Sequence, residues 1–241
     1  MKVSIVVPAY NEEKVLTRSL QEIQAAAQAF RERGWRIELI VCDNNSSDRT
    51  AELARAAGAH VVFEPINQIG RARNCGAAAA TGDWLVFVDA DSHPSFALLS
   101  DVADQIQAGR CLAGGCTVRL DERHPFGDLL VSFWNGISRF KKWAAGSFIF
   151  CETAAFRQIG GFNQELFASE ELDLSERLKR VARQRRLKFR ILHRHPIVTS
   201  ARKMHLYSRR EHLRFLFRAA WRPKQTIRRR DFLPTWYDGR R

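Results

Sequence analysis

Several signatures that would assign a function class are missing from this 241-residue sequence. No apolar stretch approaches the roughly 18 residues that a membrane-spanning helix needs, and residues 1–10 lack the charged start and cleavage site of a signal peptide. Neither a G-x-G-x-x-G fingerprint nor a Walker loop is present, which argues against dinucleotide oxidoreductases and P-loop NTPases. We therefore expect a cytoplasmic protein that binds its ligands by other means.

Cysteine is also scarce, with five residues in the whole chain. Their number is odd, and they are scattered without the paired spacing of a zinc site. Disulfides are rare in the cytoplasm, so we expect reduced, buried thiols. The five residues are Cys42, Cys75, Cys111, Cys116 and Cys151.

Negative charge is almost absent from the last quarter of the chain. Residues 177–241 hold 22 of the 39 lysines and arginines but only three of the 26 acidic residues, whereas residues 1–176 carry a net charge of −6. Such an uneven distribution predicts an anionic partner for the C-terminal region. Nucleic acid, acidic lipid headgroups and phosphorylated substrates all fit that description.

Short apolar strands alternate with helical patterns through the first half of the sequence. Strands are predicted over residues 3–8, 37–42, 60–63 and 84–88, where apolar runs end at turn residues. Helices are predicted over residues 11–34, from about 49 to 57, and over 70–80. The first of these is expected to be capped by Asn11, with Glu12 and Glu13 in its first turn. The alternation is typical of a mainly parallel, Rossmann-like α/β sheet flanked by helices.

The second half of the sequence is less regular. Helices are predicted over residues 95–108, 129–143, 170–186 and 208–221. Strands are predicted over residues 112–120, 147–151 and 189–192. No internal repeat or low-complexity linker interrupts the chain, so a single domain is expected.

Polar residues follow three of the predicted strands. Tyr10 and Glu12 come after the first strand, Asp43 after the second, and Asp89 and Asp91 after the fourth. The carboxyl ends of parallel strands share one edge of a sheet, and ligands bind there. An Asp-x-Asp pair supplies hard oxygen ligands, which suit Mg²⁺ or Mn²⁺ carrying a diphosphate. The alternative is that these acids are solvated turn residues.

Five segments together resemble the family 2 inverting glycosyltransferases of the GT-A fold. They occur in the family's order and span roughly residues 1–190. The segments are Val3-Ser4-Ile5-Val6-Val7-Pro8-Ala9-Tyr10-Asn11-Glu12, Val41-Cys42-Asp43-Asn44-Asn45-Ser46-Ser47-Asp48, Ala72-Arg73-Asn74-Cys75-Gly76, Asp89-Ala90-Asp91 and Ser169-Glu170-Glu171-Leu172-Asp173-Leu174.

The resemblance implies a binding site for a nucleotide-diphosphate sugar, with UDP slightly favoured. Pocket-lining residues would be Pro8, Ala9, Tyr10, Glu12, Asp43, Arg73, Asp89, Ala90 and Asp91. In this scheme Asp43 accepts a hydrogen bond from the base, and Arg73 reaches the base or the phosphates. Asp89 contacts the ribose or the metal, and Asp91 binds the metal directly.

Adjacent acids at residues 170 and 171 are the candidates for the catalytic base. Inverting transfer needs a carboxylate that removes the proton of the acceptor's hydroxyl group. We predict that Glu171 has this role. The family usually has Glu-Asp here, so Glu170 stays an alternative. These acids would also favour a helix N-terminus for structural reasons alone.

Two features of the C-terminal region add further candidates. Arg202 or Lys203 is expected to pair with the donor's diphosphate, unless the loop at 200–203 is simply a solvated basic loop. Some relatives use a late histidine as an additional metal ligand, which brings in His193, His195 and His205. A structural role for each of these histidines is the alternative.

The basic helix at 208–221, with Phe215, Phe217 and Trp221 among its arginines, is typical of an interfacial anchor. It predicts peripheral attachment to the inner face of the membrane, close to a lipid-linked acceptor. The alternative is a helix packed on the domain with solvated arginines.

The predicted function is therefore metal-dependent, inverting transfer of a hexosyl unit from a nucleotide-diphosphate sugar to a hydroxyl or phosphate acceptor. Residues 1–110 would bind the donor, residues 111–200 would bind the acceptor and carry the base, and residues 201–241 would form the basic tail. A nucleotidyltransferase acting on sugar phosphates and a basic nucleic-acid-binding protein are the alternatives. No nucleic-acid-binding motif is recognisable, so no such partner is expected.

Overall fold

Eight strands and eight helices follow one another along residues 1–202, the part of the chain that the computed structural model describes. The strands are β1 (Lys2–Ala9), β2 (Arg36–Asp43), β3 (His60–Phe63), β4 (Trp84–Val88), β5 (Ser92–His93), β6 (Cys111–Leu120), β7 (Phe148–Glu152) and β8 (Lys188–Thr199). The helices are α1 (Leu16–Ala26), α2 (Gln28–Arg31), α3 (Thr50–Ala56), α4 (Ile69–Ala79), α5 (Phe96–Gln107), α6 (Pro125–Lys141), α7 (Thr153–Gln158) and α8 (Glu170–Gln184).

The first half of the chain forms the parallel part of the sheet, in the order β3-β2-β1-β4. β1 and β2 are in register along their whole length, with Ala9 opposite Asp43 at their carboxyl ends. β4 pairs with the other side of β1, with Val6 opposite Phe87. The residues that follow β1, β2 and β4 therefore lie at one edge of the sheet, as the sequence predicted. We call this edge the carboxyl rim.

The second half of the chain continues the same sheet as β7-β6-β8-β5. β7 is antiparallel to both β4 and β6, β8 is parallel to β6, and β5 is antiparallel to β8. Four of the seven strand pairings are parallel, so the sheet is mixed. The described residues thus form one α/β domain of the expected class.

β8 is longer than the sequence predicted, because it continues past Leu192 to Thr199. A register shift between Cys116 and Val118 of β6 accommodates the irregular part of β8, and proline is tolerated at such a bulge. The extension has a consequence for the site, since it carries Ser200 to the carboxyl rim, where its N–H donates to the Asp91 carbonyl over 3.1 Å.

The predicted start of the first helix was wrong. Asn11 does not cap the helix; it has a φ of +52°, and the helix begins five residues later, at Leu16. Hydrogen bonds to a neighbouring loop hold this segment in a turn. The Asn11 side-chain oxygen accepts from the Ser47 N–H over 2.8 Å, and the Glu12 N–H donates to Thr50 Oγ1 over 2.8 Å. The short β5 and α7 were not predicted either.

Apolar side chains pack on both faces of the sheet. One cluster includes Leu20 of α1 and Leu99 of α5, and the other includes Leu174 of α8. α4 lies so close to β1 that a Cβ added at Gly76 would be 2.4 Å from Val6 Cγ1. This approach explains the small-residue sequence of α4.

The cysteines are free thiols, as predicted, and all except the half-buried Cys75 are buried. No helix within residues 1–202 is both long enough and apolar enough to cross a bilayer.

Candidate active site

Arg73 of α4 connects the carboxyl rim to the start of α8. Its guanidinium donates to Glu170 Oε1 over 2.7 Å, to Asp89 Oδ1 over 2.8 Å and to the Gly146 carbonyl over 2.9 Å. The side chain is 1% exposed, and its guanidinium carbon lies 5.3 Å from the centre of the Phe162 ring. Burial disfavours the charged form, but the surrounding carboxylates outweigh that effect and raise the pKa of Arg73. This side chain is therefore a permanent cation between two acidic segments.

Glu170 and Glu171 begin α8, yet their surroundings differ. Glu170 is buried and paired with Arg73. Its pKa is raised because burial outweighs the attraction of the arginine. Glu171 is partly exposed, and burial of its carboxylate next to Glu170 raises its pKa to about 8. Of the two predicted bases, Glu171 is thus the less buried residue, whereas Glu170 is the one paired with Arg73.

The Asp-x-Asp pair follows β4 at the carboxyl rim, as predicted. The Asp89 carboxylate accepts from Arg73, whereas Asp91 is 8% exposed and approaches a different cation. Arg202 Nη2 lies 3.5 Å from Asp91 Oδ2 and 3.0 Å from Glu12 Oε2. The structure therefore brings Glu12, Asp91 and Arg202 together, although almost the whole described chain separates Glu12 from Arg202.

The donor set fits a hard divalent cation that is completed by phosphate oxygens. Within residues 1–202, no group of three or more His, Cys, Asp and Glu side chains could hold a metal alone. Asp89 and Asp91 supply carboxylate oxygens, and Mg²⁺ sites commonly use one or two carboxylates plus substrate phosphates. The buried Arg202 Nε has no hydrogen-bond partner in the described part of the chain, which leaves a cationic donor beside Asp91.

The predicted nucleotide-pocket residues also lie at the rim. Asp43 is 7% exposed and accepts the Ser46 N–H over 3.0 Å, so one of its oxygens shapes the loop after β2. Tyr10, which directly follows β1, is half-buried. The remaining members of the set are buried: Pro8, Ala9 and Ala90. The structure thus gathers these candidates at one edge, and their contacts with a donor stay predictions.

The predicted histidine ligands are not part of this group. His195 Nδ1 lies 2.9 Å from Asp101 Oδ2 of α5, and His193 is exposed on β8. His205 and Lys203 lie outside the described residues. The predicted role of a late histidine as an additional metal ligand thus finds no support among residues 1–202, and it stays a prediction.

Two buried amides that sequence reasoning did not single out connect the rim to α8. Asn44 donates to the Glu64 and Ile66 carbonyls over 3.1 and 2.7 Å, and its oxygen accepts the Gln68 N–H over 2.9 Å. The Gln68 side chain in turn donates to the Gln164 and Leu166 carbonyls over 2.7 and 2.8 Å.

Asn74 makes a third connection of this kind. It exchanges two hydrogen bonds with the backbone of Phe162, over 2.9 and 2.8 Å. Together the three amides hold the segment before α8, and hence Glu171, against the carboxyl rim. Asn44 directly follows Asp43, and Asn74 directly follows Arg73. Their position next to predicted site residues is the signal by which the sequence could have indicated them.

Comparisons with known proteins agree with this geometry. The model of the family "Glycosyl transferase family 2" matches residues 4–162. A curated relative, undecaprenyl-phosphate 4-deoxy-4-formamido-L-arabinose transferase of Klebsiella pneumoniae, is 37% identical over 97 residues, which cover 37% of this chain and 29% of the relative. The alignments with this relative and with other curated relatives cover less than half of each relative's length.

Solved structures share the fold at low sequence identity. TarS (residues 1–349) of S. aureus superposes with a TM-score of 0.65 at 19% identity, covering 99% of this chain and 78% of that one. The mannosyltransferase PcManGT of Pyrobaculum calidifontis, solved with GDP-Man and Mn²⁺, gives a TM-score of 0.64 at 19% identity, covering 88% and 59%. Residues 1–202 thus have the same fold as these structures. Because the family model matches well over half of the sequence, the chain belongs to glycosyl transferase family 2.

Proposed function

We propose that this chain transfers a hexosyl unit from a nucleotide-diphosphate sugar to a hydroxyl or phosphate acceptor, with inversion at the anomeric carbon. The observation that carries the proposal is the Arg73 network, which joins the Asp-x-Asp end of β4 to the paired acids of α8. One buried cation thereby fixes the distance between a diphosphate-binding segment and a candidate base. Residues 1–110 would bind the donor, and residues 111–200 would bind the acceptor.

Each of the rim residues would bind a particular part of the donor. Asp43 would accept a hydrogen bond from the base, with Tyr10 and the buried backbone of Pro8 and Ala9 around it. Uracil is the favoured base. Arg202 would leave Glu12 to pair with the diphosphate, since its Nε is a buried donor that lacks a partner among residues 1–202.

Asp89 and Asp91 would hold Mg²⁺ or Mn²⁺, with Ala90 between them. When bound, the cation would neutralise the charge that grows on the departing diphosphate. A structural neighbour solved with GDP-Man and Mn²⁺ supports this choice of cofactor. Arg73 would keep the Asp89 carboxylate oriented toward the rim through their hydrogen bond.

Glu171 would act as the general base. Its carboxylate would take the proton of the attacking acceptor group, and inversion would need no covalent sugar intermediate. Glu170 would act as a positioning residue, because its carboxylate is buried against Arg73. The raised pKa of Glu171 suits a base that must hold a proton during transfer.

The acceptor would be lipid-linked, and the basic segment 203–241 would attach the protein to the inner face of the membrane. Support comes from the lipid phosphate in the name of the Klebsiella pneumoniae relative and from the arginine-rich composition of that segment. Co-sedimentation with anionic vesicles at low and at physiological salt tests the attachment. No binding in either condition would disprove it.

A thermal-shift panel tests donor binding. UDP- and GDP-sugars should each be tried with and without Mn²⁺, and stabilisation should require both components. Asp91→Asn should lose this stabilisation, whereas Asp128→Asn, a change to an exposed acid of α6, should keep it. A nucleoside triphosphate that is cleaved to pyrophosphate would instead support the nucleotidyltransferase alternative, which family membership already makes the weaker candidate.

Turnover tests the assignment of the base. Glu171→Gln should retain donor binding and lose release of nucleoside diphosphate by about 10²–10⁴-fold. Asp173→Asn removes the same charge from the first turn of the same helix and serves as the control. Full turnover in Glu171→Gln would show that Glu170 or another group is the base.

A further inference from the structure

Helix α6 presents an apolar stripe to solvent. Leu129, Phe133 and Phe140 are 67, 69 and 83% exposed, although each is a residue type that folding normally covers. At about 100° of rotation per residue, the three side chains lie within about 40° of one another around the helix axis. Gly136 falls on the same stripe, and no atom lies within 4 Å of a Cβ built there. The stripe is therefore a continuous exposed surface.

The opposite side of α6 fixes the helix firmly to the sheet. Asn135 accepts the Val118 N–H and donates to the Val118 carbonyl, each over 2.9 Å. Trp134 packs against the core, and Ser138 Oγ donates to the Trp143 carbonyl over 2.6 Å. The exposed residues are thus held outward by a well-anchored helix.

Cations accompany the stripe. Arg139 and Lys142, at the end of α6, line a depression of about 180 Å³ together with Lys188 and Arg190 of β8. The Lys141 ammonium lies 5.6 Å from the centre of the Phe140 ring. Asp128 is the only acidic residue of α6. Apolar side chains with basic residues at one end of the stripe match an anionic lipid surface, which accepts apolar side chains below its charged headgroups.

Both ends of α6 lead to the candidate active site. Just before the helix, the Asp121 carboxylate accepts the Ala201 N–H over 2.8 Å, next to Arg202. Just after it, the Gly146 carbonyl accepts from Arg73. A surface that meets this helix would therefore lie beside the carboxyl rim.

From these observations we infer that the α6 face, made of Leu129, Phe133 and Phe140 with the border of Arg139 and Lys142, docks on an anionic bilayer surface. The face does not include the donor-site residues, and it belongs to a different part of the sequence from the basic segment 203–241, so the inference does not rest on the proposed transfer. It adds an apolar contact to whatever electrostatic attraction the segment provides.

The test is co-sedimentation of the full-length protein with vesicles of equimolar phosphatidylcholine and phosphatidylglycerol. The variant Leu129→Ser/Phe133→Ser/Phe140→Ser should lower the partition coefficient at least about tenfold at physiological salt. In high salt, where attraction between charges is screened, the wild type should keep measurable binding and the variant should lose it. The control is Phe96→Ser, since Phe96 is a 43% exposed residue of α5.

A second variant tests the basic border. Arg139→Glu/Lys142→Glu should lower binding at physiological salt at least about tenfold, and neither variant should bind pure phosphatidylcholine better than the wild type does. All variants should keep the donor-dependent thermal shift, so failure of the docking surface is distinguishable from failure of the donor site.

Unchanged partitioning of the triple-serine variant would overturn the inference and assign binding to another region. A thermal midpoint of the triple-serine variant several degrees below that of Phe96→Ser would also overturn the inference. Such a loss would show that protein, including residues 203–241, covers the face.

Discussion

Replacing Arg73 by methionine should destabilise the protein strongly. Arg73 is almost completely buried and holds Glu170 and Asp89 by hydrogen bonds of 2.7 and 2.8 Å. Methionine fills most of the volume but leaves these carboxylates without their cation. Removing one partner of a buried ion pair costs about 3–5 kcal/mol. For a chain of this size that loss corresponds to a fall in Tm of about 6–20 °C.

The penalty should depend on pH in a defined direction. Arg73 lowers the pKa of Glu170, so its removal raises that pKa further above the unfolded value. A carboxyl group with a raised folded-state pKa binds more protons when folded, and its contribution to stability is lost as pH rises toward that pKa. The difference between Arg73→Met and wild type should therefore grow as pH rises above about 4.5, the ordinary pKa of a glutamate.

Urea denaturation at several pH values measures this effect. Arg73→Met/Glu170→Gln should recover part of the lost stability, because a neutral amide tolerates burial better than an unpaired carboxylate. Arg18→Met is the control, since Arg18 forms an exposed pair with Glu22, and it should leave stability unchanged. A loss below about 1 kcal/mol in Arg73→Met, or no recovery in the double variant, would refute the reasoning.

Three further predictions address the base, the packing and the amide connections. The kcat/KM of transfer should increase as pH rises through about 8, because burial next to Glu170 raises the pKa of Glu171 and only the deprotonated carboxylate is a base. A flat kcat/KM profile from about pH 6 to 9 would argue against Glu171 as the base. Gly114→Ala should destabilise the protein by about 1–3 kcal/mol or more, because the new Cβ would lie 2.1 Å from the Arg190 carbonyl oxygen. Gly136→Ala in α6 should instead stabilise the protein by up to about 1 kcal/mol, because alanine has the higher helix propensity. Similar thermal midpoints for the two variants would contradict this prediction. Gln68→Ala should cost about 1–3 kcal/mol, because two carbonyls before α8 lose their buried donor; an unchanged urea midpoint would show that these bonds contribute nothing.

Much of the first half of the fold could be predicted from the sequence. Strand β4 was predicted at its observed bounds, because a five-residue apolar run between turn residues is too short for a helix and fits a buried strand. The alternation of strands and helices then implied that Asp43, Asp89 and Asp91 share an edge. The parallel pairing of β1 with both β2 and β4 confirms that inference.

Contacts between distant segments could not be predicted in the same way. The pairing of Arg202 with Glu12 depends on the continuation of β8 past its bulge, which no local pattern encodes. The turn at Asn11 is set by Ser47 and Thr50, more than thirty residues away, and these bonds override an ordinary capping signal. Local rules therefore predicted which residues share the carboxyl rim but not the partners of their side chains.

The two adjacent glutamates show how tertiary packing gives identical side chains different surroundings. Residues 170 and 171 are chemically identical, and the preference for Glu171 rested on the resemblance to the family, not on a difference between the two side chains. On a helix, neighbouring side chains differ by about 100° in direction, so they enter different environments. Once α8 packs with Glu170 against Arg73, that carboxylate is committed to an ion pair. Glu171 is left partly exposed, with a pKa raised to about 8. The difference between the two environments is thus set by the orientation of α8 against α4, which is a tertiary property.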